Sequence, residues 1–253
     1  MHANINYNSK HLPILVIANK RPGHLKNLLT ILENINLNNR VYIFIDGPKD
    51  DSEKNKVLMC QVLCENSKIQ NKVIKCYQNN LGCAKGPIAA INWLFEHEET
   101  GVIIEEDCVP VFSFFYYCLE LLDKYYDDER IYHISGNQFD QVENSNYSYF
   151  FSKECHCWGW ATWKRAWKNY DYHIIPASES ETIWDFQWQK TILKYNALTI
   201  LPAVNLVKNL GYGIDATHTT EKEDCIIRET AEILTPLKHP IVSYQNLYVT
   251  KSI

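Results

Sequence analysis

Short strand-like runs alternate with amphipathic helical stretches from residue 12 to residue 126, and this alternation constrains the fold more than any other feature. The run 12–18 (LPILVIA) reads as a first strand. A turn from Asn19 to Gly23 follows, with Pro22 suited to open a helix that places Leu25, Leu28, Leu29 and Leu32 on one face. Residues 41–45 (VYIFI) read as a second strand closed by Asp46-Gly47-Pro48, and a charged helix runs on to about Glu65. Residues 72–77 suggest a third strand, 84–97 a helix, 101–104 a fourth strand, and 112–126 an aromatic-rich helix. Such alternation predicts an α/β fold with a mainly parallel sheet covered by helices on both faces. A further strand is expected at 131–135. The segment 158–167 reads as a helix, because Trp160, Trp163 and Trp167 recur at i, i+3, i+7. A second late helix is expected over 181–195, and a strand over 198–204 placed at an edge by Pro202. The last 35 or so residues give little beyond alternation near 233–237.

The fourth strand ends in three acids, Glu105-Glu106-Asp107. Carboxylates at the end of a buried strand are costly to desolvate unless a cation arrives. At the carboxyl edge of a parallel sheet, where such folds bind ligands, they suggest a divalent metal and a phosphate; a solvated strand end is the simpler alternative. Three other turns carry polar groups where strands end: Asn19 to Arg21, Asp46, and Gly82 to Gly86. In a parallel sheet all four fall on one edge.

Composition narrows the function. The net charge is -5 with both signs interspersed, which leaves no nucleic-acid footprint. Seven Trp and sixteen Tyr are unusual, and aromatic rings pack cores but also stack on sugars and bases. No stretch has the length and apolarity of a membrane span. The start of the chain lacks the pattern of a signal peptide, so reduced thiols are the expectation for the nine cysteines. Cys155-His156-Cys157 is half a zinc site without a second pair at suitable spacing. A cytoplasmic location is expected, with peripheral contact at the inner face of a membrane left open.

The ordered set of LPILVIANKRP, FIDG, NLGCAKG and IIEEDCVP resembles GT-A glycosyltransferases, in particular the N-acetylglucosaminyltransferase I type and its bacterial relatives. The second half is similar too: Trp158-Gly159-Trp160, then Trp184-Asp185-Phe186-Gln187-Trp188, then a glycine-containing loop through His218. The resemblance spans about residues 12 to 220. It departs at Glu106, where that family carries Asp. It implies one GT-A domain over 1–253, with a nucleotide-binding half at about 12–126, an acceptor half at about 127–220, and a tail at 221–253. The activity implied is metal-dependent, inverting transfer of a sugar from a nucleotide-diphospho-sugar, UDP-sugar first, to a glycan or lipid-linked acceptor, with Mn2+ or Mg2+ as cofactor. Asp107 falls on the family's metal-binding acid, Glu105 on a donor-sugar contact, Asp46 on the acceptor for the uracil imide, and Asp185 on the general base. Arg21 is placed to meet phosphate or base, Lys85 and Gly86 to face the donor from a helix start, Trp160 to wall the site, and His218 to ligate the metal or touch the diphosphate. Simpler readings stand beside these: a turn-forming Asp46, a helix-start charge at Arg21, capping at Lys85 and Gly86, a surface acid at Asp185 and a structural His218. Two other functions remain open, a sugar-phosphate nucleotidyltransferase and a non-catalytic carbohydrate-binding module.

Overall fold

The structure is a computed structural model that describes residues 10–140, 142, 145–174, 184–211, 228–244 and 247–249. Its frame is an eight-stranded sheet. In chain order the elements are β1 (His11–Ala18), α1 (Pro22–Glu33), β2 (Asn38–Ile45), α2 (Lys54–Asn66), β3 (Lys72–Cys76), α3 (Gly82–His97), β4 (Thr100–Glu105), β5 (Cys108–Pro110), α4 (Phe112–Lys124) and β6 (Ile131–Ser135). Then come β7 (Tyr149–Ser152), β8 (Trp160–Trp163), α5 (Lys164–Trp167), α6 (Trp184–Lys194), β9 (Leu198–Pro202) and β10 (Val207–Asn209). The large sheet runs β3-β2-β1-β4-β8-β6-β9-β7, and β10 pairs with β5 in a small ribbon.

β1 to β4 are mutually parallel, as the alternation predicts. β8 then runs antiparallel between β4 and β6, and β7 antiparallel to β9, so the second half of the sheet is mixed. The sheet divides two cores. Leu12, Ile14 and Val16 of β1 point to one side and meet the leucines of α1, Val57 and Cys60 of α2, and the aromatic face of α4. Leu15 and Ile17 point to the other and meet Ile91 and Leu94 of α3 and Trp184, Trp188 and Ile192 of α6. The period of two along each strand therefore feeds helices on both faces.

The segment expected as a helix from 158 departs from that reading. Trp160 to Trp163 form β8, and only Lys164–Trp167 make a helical turn. Trp160 joins the core of α3 and α6, whereas Trp163 joins the opposite one. A strand buried on both faces shows no polar alternation, so its spacing passes for a helical stripe. The indoles are held by their N–H groups as well as their faces: Trp163 donates to the Leu122 carbonyl at 3.1 Å and Trp167 to Asn92 at 2.8 Å. Nor does β9 lie at an edge, since β7 covers it. Pro202 falls beyond Ile200, the last β9 residue paired with β6, so its missing N–H costs no ladder bond there.

The C-terminal segment lies along α4 and β7 without regular structure. Glu232 accepts the first N–H groups of α4, from Phe112 and Ser113, and so caps a helix 120 residues upstream. Tyr248 bonds the backbone of Phe151 on β7. No helix among the described residues is long and apolar enough to cross a membrane.

His133 sits fully buried in β6. Its Nδ1 accepts the Trp188 indole N–H at 3.2 Å, which leaves Nε2 to carry the proton toward Ser135 Oγ and the His156 carbonyl. Burial pushes this imidazole down to about 3, from 6.5. An unfolded chain binds that proton more readily, so stability rises with pH across the interval and is lost as pH falls from about 6.5 toward 3. Urea midpoints are expected to drop between about pH 7 and about pH 5, and to drop less in His133→Asn. Equal drops in both proteins would show that His133 does not set the acid sensitivity.

Candidate active site

Register brings the four polar turns together. Ala18 pairs with Ile45, Ile45 with Cys76, and Ile17 with Glu105, so Asn19–Arg21, Asp46, the turn after β3 and the acids all leave the sheet at one carboxyl edge.

The acids part in direction at this edge. Glu105 continues the β4 alternation toward the core of α3 and α6, following Ile103. Glu106 turns to the other side, where it accepts Arg21 Nε at 2.8 Å. Asp107 Oδ2 meets the other arm of the same guanidinium at 2.7 Å. Arg21 thus bridges Glu106 and Asp107 at the head of α1, and its guanidinium is not free to face the edge. Burial alone would lower the Arg21 pKa; the attraction of Glu106 and Asp107 outweighs it and holds the charge. Glu106 is therefore the counter-ion of Arg21, on the opposite face of the strand from Glu105, as its position predicts.

One guanidinium does not balance three carboxylates. Glu105 is pushed up to about 8, first by burial and then by Asp107 and Glu106, with Arg21 opposing and Asp185 adding to the rise. Among the described residues no group of three His, Cys, Asp or Glu side chains is arranged to hold a metal ion. The donor set nevertheless suits a hard divalent cation: oxygens only, in excess negative charge, at a place where a substrate's own oxygens and water would complete the shell.

The chain around Asp107 is tightly built. Its carbonyl accepts Leu210 N–H at 2.9 Å as β10 runs back along β5. A Cβ on Gly211 would lie 2.0 Å from Asp107 Oδ2, so only glycine allows this approach. His218, the other expected metal or diphosphate contact, lies outside the described residues. Gly211→Ala is expected to displace either the carboxylate or the loop. Any reaction that depends on the Asp107 carboxylate should slow about a hundredfold, as a shift of about 1 Å in a positioned group can produce. The melting temperature should move little, and an unchanged rate would show that Asp107 tolerates the displacement.

Asp185 lies in the first turn of α6, partly exposed, with Oδ1 accepting the Phe186 N–H at 3.0 Å. The flanking Trp184 and Trp188 are buried against Trp160. Its charge is felt by Glu105, Cys157 and Tyr170, which brings the late acid and the strand-end acids into one electrostatic neighbourhood.

Three expected donor contacts are placed differently. Asp46, the expected imide acceptor, is 6% exposed and commits both oxygens to its own turn and to the turn that opens α3. Oδ1 accepts the N–H groups of Gly47 and Leu81, and Oδ2 those of Gly82, Leu81 and the Asn80 amide. No lone pair is left for a base. Burial pushes this carboxyl up while those N–H groups pull against it. The same bonds occupy the leading N–H groups of α3. Gly86 is buried behind the Asp46 carboxylate, where a Cβ would make only ordinary contact with Oδ2 at 3.4 Å. Trp160 is 1% exposed and stacks on His133 and Trp184, which makes it core and not a wall. Lys85 is exposed on the first turn of α3 and makes no ion pair among the described residues.

No protein-family model and no curated protein matches the chain. Among solved structures it is similar to the mannosyltransferase PcManGT from Pyrobaculum calidifontis in complex with GDP-Man and Mn2+, at 14% identity and a TM-score of 0.48, over 77% of this chain and 56% of that one. It is also similar to the galactosyltransferase LgtC in complex with donor and acceptor sugar analogs, at 11% identity and a TM-score of 0.41, over 74% of this chain and 71% of that one. A third is A197 from STIV, at 10% identity and a TM-score of 0.39, over 78% and 83%. The chain spans little more than half the length of that mannosyltransferase.

Proposed function

We propose that the chain is a metal-dependent, inverting glycosyltransferase of the GT-A type. It moves a sugar from a nucleotide-diphospho-sugar, UDP-sugar first, to a hydroxyl of a glycan or glycolipid. The observation that carries this reading is the acid group at the carboxyl edge: Glu105, Glu106 and Asp107, which among the described residues pair with one guanidinium, with Asp185 within electrostatic reach. A divalent cation, when bound, would stabilise the negative charge that grows on the departing diphosphate.

The residues divide the remaining work. Asp107 holds the cation, with His218 a second candidate ligand. Glu105 faces the donor sugar or the water around the cation. Arg21, paired with Glu106, fixes the direction of the Asp107 carboxylate. Lys85 offers a charge to the phosphates, and Asp46 shapes the turn that presents it. Asp185 takes the proton of the attacking hydroxyl, which direct displacement with inversion requires of one carboxylate. The eight described cysteines are all free, which supports a reducing, cytoplasmic setting.

Calorimetry with UDP, with and without Mn2+, tests the reading, with GDP as a second arm. Binding that needs the metal is expected. Binding of neither nucleotide in the presence of Mn2+ would remove the donor site.

A further inference from the structure

Beside the carboxyl end of β6, two buried side chains carry polar atoms that meet nothing. Asn137 is 1% exposed, and neither its amide nitrogen nor its amide oxygen has a hydrogen-bond partner. His156 is 6% exposed, and its Nε2 has none. Buried groups of this kind are rare because each forfeits its hydration without return. The two residues adjoin, since His156 Nδ1 lies 3.3 Å from the Asn137 backbone carbonyl, and their orphaned atoms call for something that completes them.

The neighbouring bonds fix what that partner must be. His156 Nδ1 lies 3.3 Å from the Asn137 carbonyl, which can only accept, so Nδ1 carries the proton and Nε2 is a bare acceptor. Burial lowers the pKa of this imidazole and keeps it neutral. Asn137 adds two N–H donors and one acceptor oxygen. A hydroxyl can donate to Nε2, and a second can donate to Asn137 Oδ1 while accepting from Nδ2. A carboxylate or phosphate, which only accepts, leaves Nε2 bare. The apolar surroundings narrow the choice further. The Phe139 ring lies 4.5 Å from that of His156 and 5.2 Å from Trp158, edge-on at 85°. Both rings are partly exposed. Aromatic rings beside a few placed polar atoms suit a sugar ring, which has hydroxyls on its rim and C–H groups on its faces.

The position links this place to the acids. The Leu206 N–H bonds the Gly136 carbonyl, and the chain from Leu206 runs through β10 to Gly211 against Asp107. On the other side of His156, Cys157 feels the charges of Asp185 and Glu105.

We infer that Asn137 and His156 form a subsite for two hydroxyls of a sugar ring, with Phe139 and Trp158 receiving its C–H face. This rests on the glycosyltransferase reading above. The ring can belong to the acceptor or to the donor, and the test separates them.

The test uses the full chain and two apolar replacements of similar shape, Asn137→Leu and His156→Phe. Three measurements are made on each: thermal unfolding without sugar, ligand-observed NMR titration with a panel of methyl hexopyranosides, and calorimetry of UDP-hexoses against UDP, both with Mn2+. In sugar-free buffer the variants are expected to unfold at the same or a higher temperature, since they remove orphaned polar groups. Sugar affinity is expected to fall about tenfold. A fall in the hexopyranoside titration assigns the subsite to the acceptor ring, and a fall in the advantage of UDP-hexose over UDP assigns it to the donor ring. UDP binding itself should not change. Unchanged sugar affinity in both arms, or no sugar binding by the unaltered chain, overturns the subsite. So does a lower unfolding temperature in both variants, which would show that bound water completes the pair. Absence of Mn2+-dependent UDP binding in the unaltered chain sinks the glycosyltransferase reading instead, while the hexopyranoside titration still reads the subsite.

Discussion

Asp107→Asn is expected to abolish Mn2+-dependent donor binding and to cut sugar transfer about a thousandfold while the protein stays folded. The rate follows from the several kcal/mol of charge stabilisation that a metal supplies to a leaving diphosphate. The intact fold follows from the charge count at the edge. Arg21 bridges Glu106 and Asp107, so removing the Asp107 charge leaves Arg21 still paired with Glu106 at 2.8 Å. A buried pair broken on one side normally costs about 3–5 kcal/mol, because a bare charge remains. Here the acids outnumber the guanidinium, and the substitution leaves no bare cation. It should also let Glu105 ionise at a lower pH, since Asp107 is the largest charge acting on it. The checks are the Kd of UDP with Mn2+, the transfer rate and the melting temperature. Full activity would take Asp107 out of the reaction. A collapsed fold would show that its ion pair with Arg21 is structural first.

The first half of the chain was legible because its elements are local. Leucines at helical spacing in α1 and the β-branched runs of β1, β2 and β4 identify themselves within a few residues, and a parallel sheet then forces their ends onto one edge. What sequence could not show were the bonds that cross long stretches of chain. Arg21 and Glu106 are 85 residues apart, and Asp46 meets the Leu81 N–H from 35 residues away. Both residues read as ligand contacts because their real partners were out of view. The later sheet was hidden for another reason. β8 is buried on both faces and β9 ends in proline, so each lacks the signal its position would ordinarily give. Asn137 had no local signal, and His156 showed only as the middle of Cys155-His156-Cys157. Their interest lies in partners they lack, which only packing can reveal.

Asp185→Asn is expected to leave donor binding within about twofold and to slow transfer to the acceptor by about 10²–10⁴, the range supplied by a positioned base. A base must be ionised when the hydroxyl arrives, and this separates the two acids that face the same side. Glu105 is pushed up to about 8, first by desolvation and then by Asp107 and Glu106, and a bound cation would oppose that rise. Asp185 is partly exposed in the first turn of α6, where the helix dipole favours a carboxylate. Its Oδ1 already accepts the Phe186 N–H, and the buried Trp184 and Trp188 on either side anchor the turn that carries it. Asn keeps the shape and can still accept that N–H, so the turn should survive and the loss should appear in kcat at unchanged donor Kd. A surface acid with no such role would change stability by no more than about 0.5 kcal/mol and the rate not at all. Transfer at the normal rate in Asp185→Asn would therefore return Asp185 to the solvated face of α6 and send the search for the base to another group at this edge.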